Sequence, residues 1–275
     1  MKNPVGHPFT GCLGVATLAL LLLATPALAQ GPGRGGRGGP PPTPRAQAPM
    51  DLTGQWVSVI SEDWRWRMVT PQKGDYASLP LNAEARKIAD SWDLQKDVDA
   101  GEQCKAFGAA AIMRMPTRVR ISWEDDRTLK LETDAGQQTR TFHFAGGPGA
   151  PATTDAASAE RSWQGVSVAE WNKTPVSRGL GFGGARGVAG GNLKVTTTNL
   201  RPGYLRKNGV PYSQNARVTE YFNRHEGPEG TWFTVTTIVE DPQYLNQPLV
   251  WSSSFKQEED QSKWNPTPCV IDPPR

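Results

Sequence analysis

Histidine and cysteine are scarce in this chain. Its 275 residues hold three of each. There is no C-x-x-C, no H-E-x-x-H and no pair of histidines at i, i+4 spacing. His143 and His225 lie far apart, without a carboxylate motif beside either, so His143 reads as a strand residue and His225 as a turn residue. These absences remove the usual zinc, redox-thiol and haem signatures. No G-x-S-x-G appears, nor any other nucleophile motif. The sequence therefore implies neither a cofactor nor a metal site, and it leaves open whether the protein is an enzyme.

Acidic residues are missing from residues 1–50, which carry Lys2, Arg34, Arg37 and Arg45. Taking these four charges from the formal +3 leaves −1 for residues 51–275. The basic balance belongs to the N-terminal region, so no nucleic-acid partner is expected for the remainder.

Long hydrophobic runs are also lacking, with one exception. Leu13 to Ala24 is apolar, follows Lys2, and precedes Ala27-Leu28-Ala29, an A-x-A cleavage pattern. Residues 1–29 read as a signal peptide with Gln30 as the first mature residue. The run is too short for a transmembrane helix, and no second one follows. The expectation is a periplasmic or secreted protein with no transmembrane segment in its mature chain. Cys12 would leave with the signal. Cys104 and Cys269 then remain, and in an oxidising compartment a lone pair is most simply a disulfide.

Residues 30–50 are rich in Gly, Pro and Arg and read as a disordered linker. The folded part starts at Asp51, and residues 51–275 read as a single β-barrel domain. All ten tryptophans lie there. They either fill a core and cover barrel ends or form an aromatic ligand platform.

Beyond Asp51 the dominant period is two. Val119, Ile121 and Trp123 alternate with polar neighbours. Asp125–Arg127 and Asp134–Gly136 supply turns between Thr128–Thr133 and Gln138–Phe144. Further strands read at Gln55–Ile60, Trp64–Val69, Gln164–Trp171, Leu193–Leu200, Arg217–Arg224, Trp232–Glu240 and Leu249–Lys256. One helix is expected from Leu81 to Trp92, capped by Asn82. The fold class is all-β: an antiparallel barrel or strongly curved sheet of about 8–10 strands with one early helix. Two loops interrupt it, Ala145–Ser162 and Asn172–Gly191. The second contains Gly179-x-Gly181-x-x-Gly184, but no strand-to-helix context supports a nucleotide site there.

Glu220 is the most informative polar residue. It shares a strand face with Val218 and Phe222, so it must be paired or its pKa must rise. Arg65 or Arg67 is the expected partner. The pair is structural or, alternatively, Glu220 is a ligand-binding or acid/base carboxylate. A second candidate is the connection Leu200–Gly209, whose Arg201, Tyr204 and Arg206, with Lys207 beside them, could read an acidic or sugar-like ligand at a barrel mouth.

Four motifs occur in order: Asp51-Leu52-Thr53-Gly54-x-Trp56, Glu102-x-Cys104-Lys105, Thr219-Glu220-Tyr221-Phe222-x-Arg224 and Glu240-Asp241-Pro242-x-Tyr244. The set resembles a group of uncharacterised exported proteins of Gram-negative bacteria with a lipocalin-like barrel. The resemblance implies compartment and fold and brings no catalytic residues. Three functions follow as expectations. The first is a binding protein for a small or amphipathic ligand held in a Trp-rich barrel. The second is a secreted enzyme acting on a carbohydrate, lipid or aromatic compound through Glu220. The third is an envelope structural or interaction protein.

Overall fold

A computed structural model describes residues 41–145, 160–175 and 188–275. Residues 1–40, with the expected signal and most of the expected linker, most of the expected Ala145–Ser162 loop and the Gly179–Gly184 stretch lie outside the described residues. Nine strands form a closed barrel. They are β1 (Gly54–Val59), β2 (Arg118–Trp123), β3 (Thr128–Thr133), β4 (Thr139–Phe144), β5 (Val166–Pro175), β6 (Val188–Thr198), β9 (Arg217–Gly227), β10 (Gly230–Glu240) and β11 (Leu249–Gln257). A separate hairpin pairs β7 (Gly203–Arg206) with β8 (Val210–Tyr212). The barrel order is β1-β11-β10-β9-β6-β5-β4-β3-β2, and β1–β2 pairing closes it. Every neighbour is antiparallel except β4 and β5. A parallel pair needs a long crossover, which the connection from Ala145 to Gly165 is long enough to make.

The two-residue period places one set of side chains inside. On β9 these are Val218, Glu220 and Phe222; on β10 they are Phe233, Val235, Thr237 and Val239. Two apolar clusters result. One fills the barrel body with Trp56, Leu131, Phe142, Leu193, Phe222, Phe233 and Phe255. The other closes the end where β1 stops and β2 and β11 begin, using Val218, Val239 and Leu249 with Leu81, Ala85, Ala89 and Tyr212.

The closing layer comes from the long excursion between β1 and β2. Helix α2 (Ala83–Ser91) is the expected one. Asn82 accepts from the Ala85 amide at 2.9 Å, and Ala85, Ala89 and Trp92 are buried. Two further short helices, α1 (Trp64–Arg67) and α3 (Leu94–Asp99), accompany it. Trp64–Val69 is therefore no strand. A four-residue W-R-W-R alternation suits one helical turn as well as a strand, and tertiary anchoring of Arg67 decides the outcome. Three other readings also change. Leu200–Gly209 is the β7–β8 hairpin, the β5–β6 ladder extends into Asn172–Gly191, and His225 lies in β9 opposite Trp232. Among the described residues no helix is long and apolar enough to cross a membrane.

The compact unit starts at Pro42, ahead of the compositional boundary at Asp51. The Trp171 indole donates to the Pro44 carbonyl at 2.8 Å, the Arg45 amide to the Asp126 carbonyl at 3.1 Å, and Lys173 to Gln47 at 2.8 Å. Met50 packs against the barrel core. Gly and Pro content cannot reveal such tertiary contacts.

Cys104 and Cys269 are disulfide-bonded, with Cα atoms 5.2 Å apart. The bond joins a 3₁₀ turn at Gln103–Phe107 to the C-terminal tail. The tail is held further by the Thr267 amide to Asp134 and the Arg275 amide to Thr70. Replacing both cysteines with serine should lower the unfolding free energy by about 2–5 kcal/mol in urea titrations. Gly209 gives a second test. Its φ is +80°, and a Cβ there would sit 2.0 Å from Trp92 Cγ. Gly209→Ala should cost about 2–4 kcal/mol by the same measurement, combining left-handed strain with overpacking.

Candidate functional site

Glu220 is fully buried, as its strand period requires, but its partner is Arg140 of β4. Arg140 Nη1 donates to Oε1 at 3.0 Å and Nη2 to Oε2 at 2.5 Å, a bidentate pair with both side chains at most 1% exposed. Nη2 also reaches Thr197 Oγ1 at 3.2 Å, which shares a hydrogen bond with Ser167. Arg65 and Arg67 are not involved, because α1 carries them to the capped end. The signal for Arg140 was the one used for Glu220: it shares a face with Phe142 and Phe144.

This pair does not open onto a ligand cavity. Both carboxylate oxygens are engaged. Trp56, Leu131, Leu193, Val195, Phe222, Phe233, Val235 and Phe255 are each 0% exposed, so no water-sized space touches them. The barrel body is packed with side chains. The tryptophans follow the same division: Trp56 fills the core, while Trp123 and Trp171 join Phe144 in an aromatic cluster, half-buried, at the opposite end.

The arginines converge elsewhere. α1, the 3₁₀ turn Ile112–Arg114 and the β7–β8 hairpin bring Trp66, Arg67, Arg114, Arg206 and Lys207 around one narrow cleft. Its cavity volume is about 20 Å³, room for about one water-sized group. Arg67 is 2% exposed; its Nε donates to the Arg114 carbonyl at 2.9 Å and its Nη1 to Glu62. Arg67 Nη2 is buried with no hydrogen-bond partner among the described residues. Arg114 pairs with Asp63 at 2.7 Å and lies over the Trp251 ring at 4.8 Å. Arg206 stacks over Trp66 at 4.7 Å and donates to the Ala77 carbonyl at 2.9 Å. Arg65, at the rim, pairs with Asp75 at 2.6 Å.

Charge is not balanced here. Glu62, Asp63 and Asp75 each engage one arginine, through Arg67, Arg114 and Arg65. Arg206 and Lys207 have no carboxylate within salt-bridge distance among the described residues. Burial, with the charge of Arg114 beside it, pushes the Arg206 pKa down to about 10. Burial likewise lowers Lys207, with Asp272 acting against it. Burial works to raise Asp75, but hydrogen bonds from Trp66 and Arg65 outweigh it and hold it below the usual range. Desolvated cations facing an open cleft are suited to an oxyanion, whose oxygens match guanidinium donors.

The other half of the suspected loop is used differently. Tyr204 donates to Asp97 at 3.1 Å, beside Lys105 at 3.1 Å and the Trp92 indole at 2.9 Å. Glu102 binds Lys105 at 2.5 Å and Arg201 at 2.6 Å. Arg201 and Tyr204 thus belong to a network around the disulfide, away from the cleft. The sequence pattern does not mark Trp66 and Arg114 as site residues. Arg114 carried a signal: it is a lone cation inside the apolar run Ala109–Met115. Among the described residues no group of three or more His, Cys, Asp or Glu side chains could hold a metal ion.

Glu220→Ala leaves the Arg140 charge unpaired inside the barrel. It should lower the unfolding free energy by about 3–5 kcal/mol in urea titrations. Combining Arg140→Met with Glu220→Leu should restore most of that loss.

No protein-family profile, curated protein or solved structure matches this chain.

Proposed function

We propose that this is an exported protein of the periplasm or extracellular space, of the lipocalin-like kind its motifs resemble. In this reading it binds a small or amphipathic ligand by an anionic group, at the cleft of Trp66, Arg67, Arg114, Arg206 and Lys207. One observation carries the reading. Buried Arg206 and half-buried Lys207 line one narrow cleft with Arg67 and an indole wall, neither with a carboxylate within salt-bridge distance among the described residues, and Arg67 Nη2 is buried there without a hydrogen-bond partner. An oxyanion would supply the missing acceptors and offset the desolvation of Arg206 and Lys207. Residues 1–29 support export, and the Cys104–Cys269 bond fits an oxidising compartment. The ligand's site moves from the barrel interior to its capped end, because the interior is full. That same filling favours a scaffold role for the barrel, with recognition on its outside.

Titrating inorganic phosphate at constant ionic strength tests this. Binding stabilises the native state by mass action, so the melting temperature should rise with phosphate and, above the dissociation constant, keep rising with the logarithm of its concentration. Lys207→Met should remove most of the rise while preserving the circular dichroism spectrum. The pH dependence has a definite sign. Burial lowers the Lys207 pKa below that of a free lysine, and a bound anion favours its charged form. Affinity for sulfate, whose charge is constant in this range, should hold near neutral pH and fall as pH climbs through the Lys207 pKa, as measured by calorimetry.

A further inference from the structure

Beside the cleft, α1 leaves two large apolar side chains in solvent. Trp64 is 65% exposed and Met68 is 50% exposed. The Met68 amide donates to the Trp64 carbonyl at 2.8 Å, so the two are one turn apart and share a face. Met68 continues into a shallow hollow with Val57, Ile60 and Pro116, whose far side carries Arg118 and Asp134. Arg65, its side chain 64% exposed, pairs with Asp75 and lies over the Trp66 ring at 5.5 Å. The segment Trp64–Met68 thus turns an indole and a thioether outward, while Trp66 and Arg67 line the cleft.

We infer that α1 and the adjoining cleft dock the protein on an anionic phospholipid surface, with Trp64 and Met68 entering the headgroup layer and a lipid phosphate seated among Arg67, Arg206 and Lys207. The inference rests on the anion-binding reading of the cleft and names its partner. Three features select a bilayer. Tryptophan is favoured at the membrane–water interface, where its ring is half in apolar surroundings. Basic residues beside it complement an anionic leaflet, and each adds attraction near the surface. The cleft admits only about one water-sized group, so it suits one or two oxygens of a headgroup whose body stays outside. Two side chains are far less than the roughly 800 Å² a stable protein partner would cover on this face. The carboxylates nearby, Glu62, Asp63, Asp75 and Asp134, are each held by an arginine, so they repel the bilayer less than free carboxylates would; the same pairs offset those arginines, so the attraction rests on Arg206 and Lys207.

The test is co-sedimentation of the exported form, residues 30–275, with phosphatidylcholine vesicles made with and without phosphatidylglycerol. Inorganic phosphate binding is measured in parallel by calorimetry. The exported form should sediment with the phosphatidylglycerol vesicles and not with the others. Trp64→Ser with Met68→Ser should lower that partitioning about tenfold or more while phosphate affinity is unchanged. Lys207→Met should lower both. Arg34, Arg37 and Arg45 are present in every variant, so their attraction for vesicles cancels in the comparison. Phosphate binding without vesicle binding, or vesicle binding that the Trp64/Met68 variant keeps, would overturn the docking face and leave the cleft standing. Loss of both in the unaltered protein would overturn both.

Discussion

The Arg140–Glu220 pair is the constraint on which the interior depends. It joins β4 to β9 across the two strands that lie between them in the barrel, β5 and β6. Desolvating two charges costs several kcal/mol per ion in real proteins, and only close bidentate geometry with supporting hydrogen bonds offsets it. Thr197 and Ser167 supply part of that support. Arg140 Nε, Thr237 Oγ1 and Ser253 Oγ remain buried without a hydrogen bond among the described residues. These groups form a polar belt between the aromatic body of the barrel and its capped end. A ligand entering the body would have to displace close-packed aromatic rings and strip this pair of its partners. In the proposed reading, that cost is why recognition belongs on the outside of the barrel.

The capped end is where the chain has built something less settled. Its supports are firm: the Asp97 network ties Trp92, Lys105 and Tyr204 together, the disulfide anchors the tail beside them, and Gly209 lets the β7–β8 turn press against Trp92. On this base sit cations whose charge is not matched locally. Structural ion pairs are paired; Arg206 and Lys207 are not. Groups held in a costly state on a rigid base are the expected mark of a binding site.

Most of the barrel was legible because strand burial repeats every two residues. Thr128–Thr133 and the alternation of Val119, Ile121 and Trp123 survive intact as β3 and β2. Burial of Glu220 was legible for the same reason. Its partner was not, because choosing among inward arginines needs strand order, and the one parallel contact in the barrel sets that order around Arg140. Trp64–Val69 misled because four alternating residues fit either a strand or a single helical turn, and Arg67's tertiary bonds chose the helix. The cleft was only half visible. Arg65, Arg67 and Arg206 do meet, but Arg201 and Tyr204 leave for the disulfide network. The remaining walls come from residue 114, distant in the chain, and no local pattern brings it in. Residues 42–50 show the same limit: their composition says linker, whereas their hydrogen bonds to Trp171, Asp126 and Lys173 say barrel.

The packed barrel body and the proposed anion cleft at its capped end make opposite demands on where an anion can sit. A crystal soaked in selenate tests this directly, since anomalous scattering locates the anion without assumption. The account expects one ordered selenium peak within hydrogen-bonding reach of Arg67 Nη2 and Arg206, beside Trp66, and none inside the barrel. A peak next to Arg140 with Glu220 displaced, or a cleft left empty at concentrations that order selenate elsewhere on the protein, would contradict it.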